Sequence, residues 1–451
     1  MTNPHLAAQY YRQWFPWKEF SSLAGVPAVP GLSPELPISH REFSFKNGFR
    51  HHSFSTIDGE SDSLKEFCCK TPPFRLDMGA VYSNPPKKAI LRLPTMTPDS
   101  VELRFDIDIT DYKTRRRCNT KKICDLCETH LKVGIRILDY LIRRWFGFRN
   151  LLWVFSGGRG VHCWVLDPHA AFLSNSQREE IVFLLLAYAK AHKKTQEFKQ
   201  KQDNRITREL YHKFLGPTFE KMLKEGKIDL RESPFRERVE RFSQTLLPGD
   251  QLSLQAFIKA APRPDDWTLL KTTLGEAILS PLICGFIFPK IDIGVTRGIN
   301  HLLRAPFSVR DDNGNIVTPF DITQLDYFDF YAPLNIKDKE SPGFRNKFNT
   351  ALRVFQACLL CRDRRAQYFV CKTCYDERDG IEVIPRYAII GDSLQIFKAH
   401  LREKHQQNQL PDLTASNVAT LLQMQSSSTA WSTNLDFLSQ LYTALFNKLQ
   451  D

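Results

Sequence analysis

Two short segments of this chain carry the residue types from which a phosphate-handling site could be built. The first, Phe105–Tyr112, reads Phe-Asp-Ile-Asp-Ile-Thr-Asp-Tyr. In a strand, Asp106 and Asp108 would share one face, because side chains two residues apart point the same way. Neighbouring carboxylates repel unless a cation lies between them, and such oxygen ligands suit Mg²⁺ or Mn²⁺. The alternative is a half-exposed strand with solvated acids.

The second segment, Ser156–Val165, begins Ser-Gly-Gly-Arg-Gly-Val-His. Its glycines allow a ligand to approach the backbone closely. Arg159 supplies a planar fork that suits phosphate oxygens, and His162 can donate a further hydrogen bond. The alternative is a tight hairpin with an incidental arginine. Together, the carboxylates and this turn indicate a metal-dependent, nucleotide-handling enzyme.

A third acid, Asp292, lies in the apolar segment Phe286 to Val295, which we interpret as a strand. A charge inside a buried strand needs a partner. A third carboxylate would complete a site for two cations ~3.5–4 Å apart, as used in phosphoryl transfer. Taken alone, Asp292 is better explained as a structural residue.

The first group of cysteines with zinc-ligand spacing follows the acidic segment. Its members are Cys118, Cys124 and Cys127. The Cys-x2-Cys pair is the usual zinc knuckle, with reduced core cysteines as the alternative. The fourth ligand stays open: His130 continues the spacing, while Cys68 or Cys69 could arrive from elsewhere.

A second group lies near the C-terminus and comprises Cys358, Cys361, Cys371 and Cys374. Two paired knuckles predict a closed four-thiolate Zn²⁺ site on which a small module would depend to fold. His400 and His405 resemble the helical half of a Cys₂His₂ finger and could pair with the last two cysteines instead. Whether one or two ions bind therefore stays open.

The composition is that of a globular protein: of 451 residues, 42% are hydrophobic and 25% charged. The net charge of +12 favours a polyanionic partner such as nucleic acid. No apolar run approaches the ~20 residues needed to span a bilayer, and the N-terminus resembles no secretory signal. We expect no membrane association and an intracellular, reducing location, where the 11 cysteines serve as ligands or core residues.

The elements that must position these residues predict an α/β (α+β) fold. Strand patterns dominate residues 1–173, apart from helices at 5–20 and 131–146. Residues 174–284 are amphipathic and predict a helical subdomain, and strand patterns return over 285–333. A polar linker is predicted at 334–346, followed by a zinc-binding module at 350–405 and a polar stretch with a final helix at 406–451.

Several segments resemble the catalytic small subunit of archaeal and eukaryotic DNA primase, most closely the eukaryotic form. They occur in the family order between about residues 8 and 325. The matching segments are Arg41–Phe45, Asp77–Ser83, Phe105–Tyr112, Phe146–Phe148, Ser156–Val165 and Asp292–Val309. The resemblance implies mixed β-sheets flanked by helices, with a helical subdomain inserted before the third acid.

The resemblance also implies an activity: synthesis of short RNA primers on single-stranded DNA from ribonucleoside triphosphates. It implies a large subunit and DNA polymerase α as partners, and a nuclear location. By position, Asp106, Asp108 and Asp292 would hold the two metal ions. The residues that would contact the nucleotide or primer end are Glu42, Arg50, Asp77, Ser156, Arg159, His162, His301, Arg304 and Arg310.

This chain departs from the family in several places. Gly158 stands where the family turn often has arginine, and Arg304 and Arg310 replace Lys and His. The internal knuckle has one cysteine before Cys124 where the family has two, and the module from residue 350 onward lies outside the resemblance. Two other functions stay open: a stand-alone primase-polymerase of the same superfamily, or an inactive zinc-bearing scaffold that binds nucleic acid.

Overall fold

A computed structural model describes most of the first 363 residues. The described residues are 3–27, 35–45, 53–57, 63–86, 97–112, 115–118, 120, 122–190, 205–260 and 267–363. Several predictions lie outside them. These concern Arg50, Cys371, Cys374, His400, His405 and the region 406–451.

Antiparallel strands form two sheets. The strands are β1 (Arg41–Phe45), β2 (Leu76–Tyr82), β3 (Pro98–Ser100), β4 (Leu103–Asp108), β5 (Leu151–Phe155), β6 (Gly160–Val165), β7 (Leu303–Arg304) and β8 (Thr318–Phe320). The first sheet has the order β1-β2-β3, with β7 also paired to β2, and the second has the order β4-β6-β5-β8. The mixed α/β class predicted from the sequence is confirmed.

Helices cover both sheets. They are α1 (Pro4–Gln13), α2 (Trp17–Ala24), α3 (Leu64–Lys70), α4 (Asp125–Trp145), α5 (Asn175–Lys190), α6 (Arg205–Leu210), α7 (Gly216–Lys224), α8 (Phe235–Ser243), α9 (Pro248–Ala260), α10 (Trp267–Ile287), α11 (Ile293–Arg297) and α12 (Pro342–Asp363). The helix predicted over 5–20 is two helices, because Pro16 lacks an N–H and restricts the residue before it.

Side chains of the second sheet alternate between its two faces, and each face packs in a separate hydrophobic cluster. Phe105 and Ile107 of β4 and Cys163 of β6 face α4 and the helices that follow it. Trp164 of β6, on the opposite face, packs in a second cluster with α1, α2 and the first sheet. Since Asp106 and Asp108 alternate with Phe105 and Ile107, the two acids lie on the face toward the first sheet.

Between residues 175 and 287, the described residues form helices and turns without strands, which agrees with the helical character predicted for 174–284. The subdomain boundaries themselves stay a prediction. By length and composition, α10 could cross a membrane, but 61% of its most apolar window is buried inside the protein. Its buried side chains include Leu270, Leu279 and Ile283, which is the usual pattern of a core helix.

Two local predictions are wrong. The segment Phe286 to Val295 is not a strand: α10 ends at Ile287, and Asp292 caps the short helix α11. The segment 334–346 is not a linker, because Leu334, Ile336 and Phe344 are buried in the core. In the first segment the apolar side chains belong to the end of α10 and the short helix α11, and in the second they belong to the turn Ile336–Asp338 and the first turn of α12.

Helix α12 packs on the N-terminal helices. Its Phe355 is fully buried and lies 5.4 Å, ring to ring, from Phe307. Arg362 donates from Nη2 to the Ser22 hydroxyl at 2.9 Å, and Gln356 donates to Glu19 at 2.7 Å. The predicted zinc-binding module would begin at residue 350, which lies inside α12.

Candidate active site

The pairing of β4 with β6 brings the acidic strand and the glycine turn together. Asp106 lies opposite His162, and Asp108 lies opposite Gly160. His162 Nε2 is 3.8 Å from Asp106 Oδ1, and Arg159 Nη2 is 3.6 Å from Asp108 Oδ2. Because this register places the basic groups on the same face as the two carboxylates, the two segments form one site.

Asp292 reaches the same site through its backbone. Its N–H donates to the carbonyl oxygen of Asp106 at 2.9 Å, so the chain leaving α10 docks beside β4. The side chain accepts from Gly294 N at 2.8 Å as the N-cap of α11. Asp292 thus lies beside Asp106 and its charge acts on that acid, although Asp292 arrives by a different element from the one predicted.

The three acids fit divalent cations. Burial, followed by the charges of Asp108 and Asp292, raises the pKa of Asp106 to about 7. Asp111 adds to this repulsion. Carboxylates that disfavour one another's ionised form are stabilised by a shared cation, and hard oxygen ligands suit Mg²⁺ or Mn²⁺.

The glycine turn between β5 and β6 is held from inside. Ser156 N donates to Gly160 O at 2.9 Å, and Gly160 N donates to the Ser156 hydroxyl at 3.2 Å. Gly157 has φ +71°, a conformation that side chains other than glycine rarely adopt. The predicted turn is therefore present, with Arg159 at its tip.

Arg304 and Asp77 lie opposite each other where β7 pairs with β2. Asp77 accepts from Arg75 Nε at 2.6 Å, while its other oxygen, buried, has no hydrogen-bond partner among the described residues. Arg304 Nη1 is likewise buried without such a partner. Burial raises the pKa of Asp77 and lowers that of Arg304 to about 10. Buried polar atoms of this kind need a partner, which water or a polar ligand can supply.

His162 is uncharged in this environment. Burial and the nearby guanidinium groups of Arg304, Arg310 and Arg104 lower its pKa to about 3. It therefore forms no ion pair with Asp106, despite their 3.8 Å separation. A neutral imidazole has one N–H to donate, as a contact to a phosphate oxygen requires.

Glu42 and His301 border the site on the first sheet's side. Glu42 is buried and accepts from the Tyr82 hydroxyl at 3.2 Å. The His301 carbonyl accepts from Arg104 at 3.3 Å, and burial lowers the pKa of its imidazole. His301 therefore lies near Asp292, and Glu42 lies beside Tyr82 and Gly79 of β2, while Arg50 is outside the described residues.

Arg310 lies on a short hairpin beside the glycine turn. Its Nη1 donates to the Ser156 carbonyl at 3.4 Å, and its Nε and Nη2 donate to the two oxygens of Asp312, both at 2.9 Å. Asn315 donates to the Gly157 carbonyl at 2.8 Å. No spacing signal in the sequence indicated that Asp312 and Asn315 contact this site.

The internal thiol cluster is present. The Sγ atoms of Cys118, Cys124 and Cys127 lie 3.3–3.5 Å apart. Thiolates on one zinc ion at ≈ 2.3 Å would be about 3.8 Å apart, so a small adjustment admits the metal. Among the residues that the structure describes, no fourth ligand joins them.

The fourth-ligand candidates lie elsewhere. His130 is buried on α4, where its Nε2 lies 3.0 Å from the Arg115 carbonyl, and it is not part of the thiol cluster. Cys68 and Cys69 belong to the other hydrophobic cluster, with α3. The knuckle as described therefore offers three thiol ligands.

We expect Cys124→Ser to lower the zinc content of the purified chain by about one ion, because it removes one of three clustered thiolates. Elemental analysis after gel filtration measures this content. Cys69→Ser, on α3, is the matched control and should leave zinc unchanged. An equal loss in both variants would contradict the assignment.

The C-terminal cysteines are only half described. Cys358 and Cys361 lie within α12, and Cys358 is buried, with its carbonyl accepting from Asn150 at 2.9 Å. Cys371, Cys374, His400 and His405 are outside the described residues. The second zinc site therefore stays a prediction.

Comparison with known proteins shows which proteins this chain is similar to. The family model "DNA primase small subunit" matches residues 105–322. The chain is 31% identical over 348 residues to the DNA primase small subunit of Schizosaccharomyces pombe, covering 71% of this chain and 73% of that protein. Identity to the Drosophila melanogaster protein of the same name is 29%, covering 71% and 77%. An archaeal relative from Thermococcus sibiricus is 27% identical, over 40% and 48%.

These matches extend well beyond any single motif. The stretch matched by the family model contains the three acids and the glycine turn. It also contains Arg304 and Arg310. The chain belongs to the DNA primase small subunit family. The resemblance predicted from the sequence is confirmed.

Proposed function

We propose that this chain is the catalytic subunit of a DNA primase: a nucleotidyltransferase that synthesises short RNA primers on single-stranded DNA to initiate replication. The observation that carries the proposal is the β4–β6 register, which sets Asp106 opposite His162 and Asp108 opposite Gly160. Acids for cations and donors for phosphates meet on one face, as nucleotidyl transfer requires.

In the proposed reaction, a 3′-hydroxyl oxygen attacks the α-phosphorus of a ribonucleoside triphosphate, and the bond to pyrophosphate breaks. Mg²⁺ or Mn²⁺ held by Asp106, Asp108 and Asp292 would favour loss of the hydroxyl proton and neutralise the leaving pyrophosphate. The carboxylates would be occupied as ligands of the cations, so their part is to bind and orient, and the hydroxyl proton would pass to solvent. The β4 backbone, which is paired with β6 from Leu103 to Asp108, keeps two of the carboxylates in fixed positions.

The triphosphate would bind at the glycine turn. Arg159, Arg304 and Arg310 supply guanidinium groups, and neutral His162 supplies one N–H. The buried, unsatisfied Nη1 of Arg304 is the strongest single sign of an anionic ligand here. Donors already in place where charge develops stabilise the transition state without reorganisation.

Other parts of the proposal rest on family membership and charge. The excess of basic residues, +12 overall, would bind the template through its backbone with little sequence preference. A large subunit and DNA polymerase α are the proposed partners, and the nucleus the proposed location. Zn²⁺ at the Cys118 cluster would hold the start of α4.

The test is primer synthesis by the purified chain on unprimed single-stranded DNA. Labelled ribonucleotides and deoxynucleotides are supplied separately with Mg²⁺ or Mn²⁺, with and without a primase large subunit. Short RNA products are expected. Long DNA products without a partner would replace this proposal by a primase-polymerase. Template binding with no synthesis under any condition would leave only a binding scaffold.

A further inference from the structure

The guanidinium of Arg310 lies directly against the bare backbone of Gly158. A Cβ atom at position 158 would lie 2.7 Å from Arg310 Nη1 and 2.8 Å from its Cζ, closer than real Cβ contacts come. Gly158 has no positive φ, so alanine is permitted there by the backbone and excluded only by Arg310. The glycine therefore provides the space in which this guanidinium lies.

Asp312 fixes the other side of the same group. Its two carboxylate oxygens accept from Nε and Nη2 of Arg310 in a bidentate pair, both at 2.9 Å. This geometry leaves Nη1 as the nitrogen that faces the glycine turn, 3.4 Å from the Ser156 carbonyl. A bidentate pair restricts the orientation of a guanidinium more than a single contact does.

The hairpin that carries both residues is itself fastened to the turn. Asn315 donates to the Gly157 carbonyl at 2.8 Å, and Asn335 donates to the Asn315 side chain at 2.7 Å. Arg310 N also donates to Asn315 O at 2.8 Å, which closes the hairpin. The Arg310 backbone is thus held in register with the glycine turn, and only its side chain needs further positioning.

We propose that Asp312 and Gly158 act together as positioning residues, holding the Arg310 guanidinium over the glycine turn as a contact for the nucleoside triphosphate. Asp312 works through Arg310 and need not touch the ligand. This inference rests on the proposed function, since it assigns the triphosphate to this turn. If Asp312 only formed the turn, its substitution would not change the affinity for the triphosphate.

Asp312 should affect the affinity for the triphosphate in two opposite ways. Its negative charge repels a triphosphate, but its side chain is 55% exposed, where solvent and salt screen such repulsion. The bidentate contact orients a largely buried arginine, whose side chain is only 16% exposed. We therefore expect loss of orientation to outweigh loss of repulsion.

The experiment compares Asp312→Asn with Asp326→Asn, which removes an aspartate paired with Arg136 on another surface. For each variant, anisotropy of a fluorescent ribonucleoside triphosphate gives Kd, and primer synthesis gives KM and kcat. Asp312→Asn should raise Kd and KM about fivefold with little change in kcat, and Asp326→Asn should change neither. Gly158→Ala should raise Kd similarly, because its Cβ displaces the same guanidinium.

A double-mutant cycle tests the route of the effect: in an Arg310→Ala background, Asp312→Asn should have no further effect. An unchanged or lower Kd in Asp312→Asn would overturn the inference, as would a full effect without Arg310. If the parent chain binds triphosphate but makes no primer, the proposed function fails and the inference is still decided by Kd. If the parent binds no triphosphate, both fail.

Discussion

Asp106→Asn should abolish primer synthesis, lowering the yield at least about a thousandfold, while the chain stays folded. Asparagine keeps the shape of the side chain but removes one of the three clustered carboxylates. Because burial and the neighbouring acids raise the pKa of Asp106 to about 7, its charged form is disfavoured in the folded chain. The variant should therefore melt at the same temperature as the parent or slightly higher.

The measurement is primer yield on single-stranded DNA beside a thermal melt of the same preparation. Asp338→Asn, an exposed aspartate in the turn Ile336–Asp338, is the matched control for the loss of one charge. It should retain parental yield. A parental yield from Asp106→Asn would remove the metal assignment, and a large fall in melting temperature would make the loss structural.

Glu102→Gln should lower the free energy of unfolding by about 3–5 kcal/mol, because it leaves two buried cations without their counter-charge. Glu102 is buried between Arg41, at 2.8 Å, and Arg104, at 2.7 Å. Arg104 also donates to the carbonyl of His301, so a hydrogen bond joins this group of ion pairs to a predicted nucleotide-contact residue. Denaturant unfolding measures the loss.

The matched control is Glu66→Gln, which breaks an exposed pair with Lys70 and should cost less than about 1 kcal/mol. Equal losses in the two variants would contradict the prediction. A dependence on pH supplies a second check. Although burial alone would raise the pKa of Glu102, Arg41 and Arg104 lower it to about 2. Its contribution is therefore complete above an unfolded pKa of about 4.3 and declines as the pH falls toward 2, so parent and variant should converge there.

Much of the site could be predicted from sequence because its two strands alternate clearly. Phe105 and Ile107 are apolar between two acids, and the structure places both acids on one face, as expected. The opposition of Asp106 and His162 could not be predicted. It depends on the register between two strands, which the turn geometry and packing decide together.

The errors concern segments in which a helix begins or ends. The segment around Asp292 alternates apolar and polar residues as a strand does, but it caps a five-residue helix instead. At the supposed linker, Ser341 accepts from Phe344 N and Pro342 begins α12. Serine followed by proline is a typical helix start, and this signal could have identified α12.

The contact of Asp312 with Arg310 could not be predicted from the sequence for a different reason. Aspartate before Asn-Gly is common in turns, so its residue type carried no information about a second role. Its contact with Arg310 became apparent only from the bidentate geometry.

The packing of α12 against the first two helices has a consequence during synthesis on the ribosome. Ser22 emerges 340 residues before its partner Arg362. At about 5–20 residues per second, the apolar surface of the N-terminal helices stays uncovered on the order of tens of seconds. A chain that ends before α12 would lack the helix that covers this part of the core.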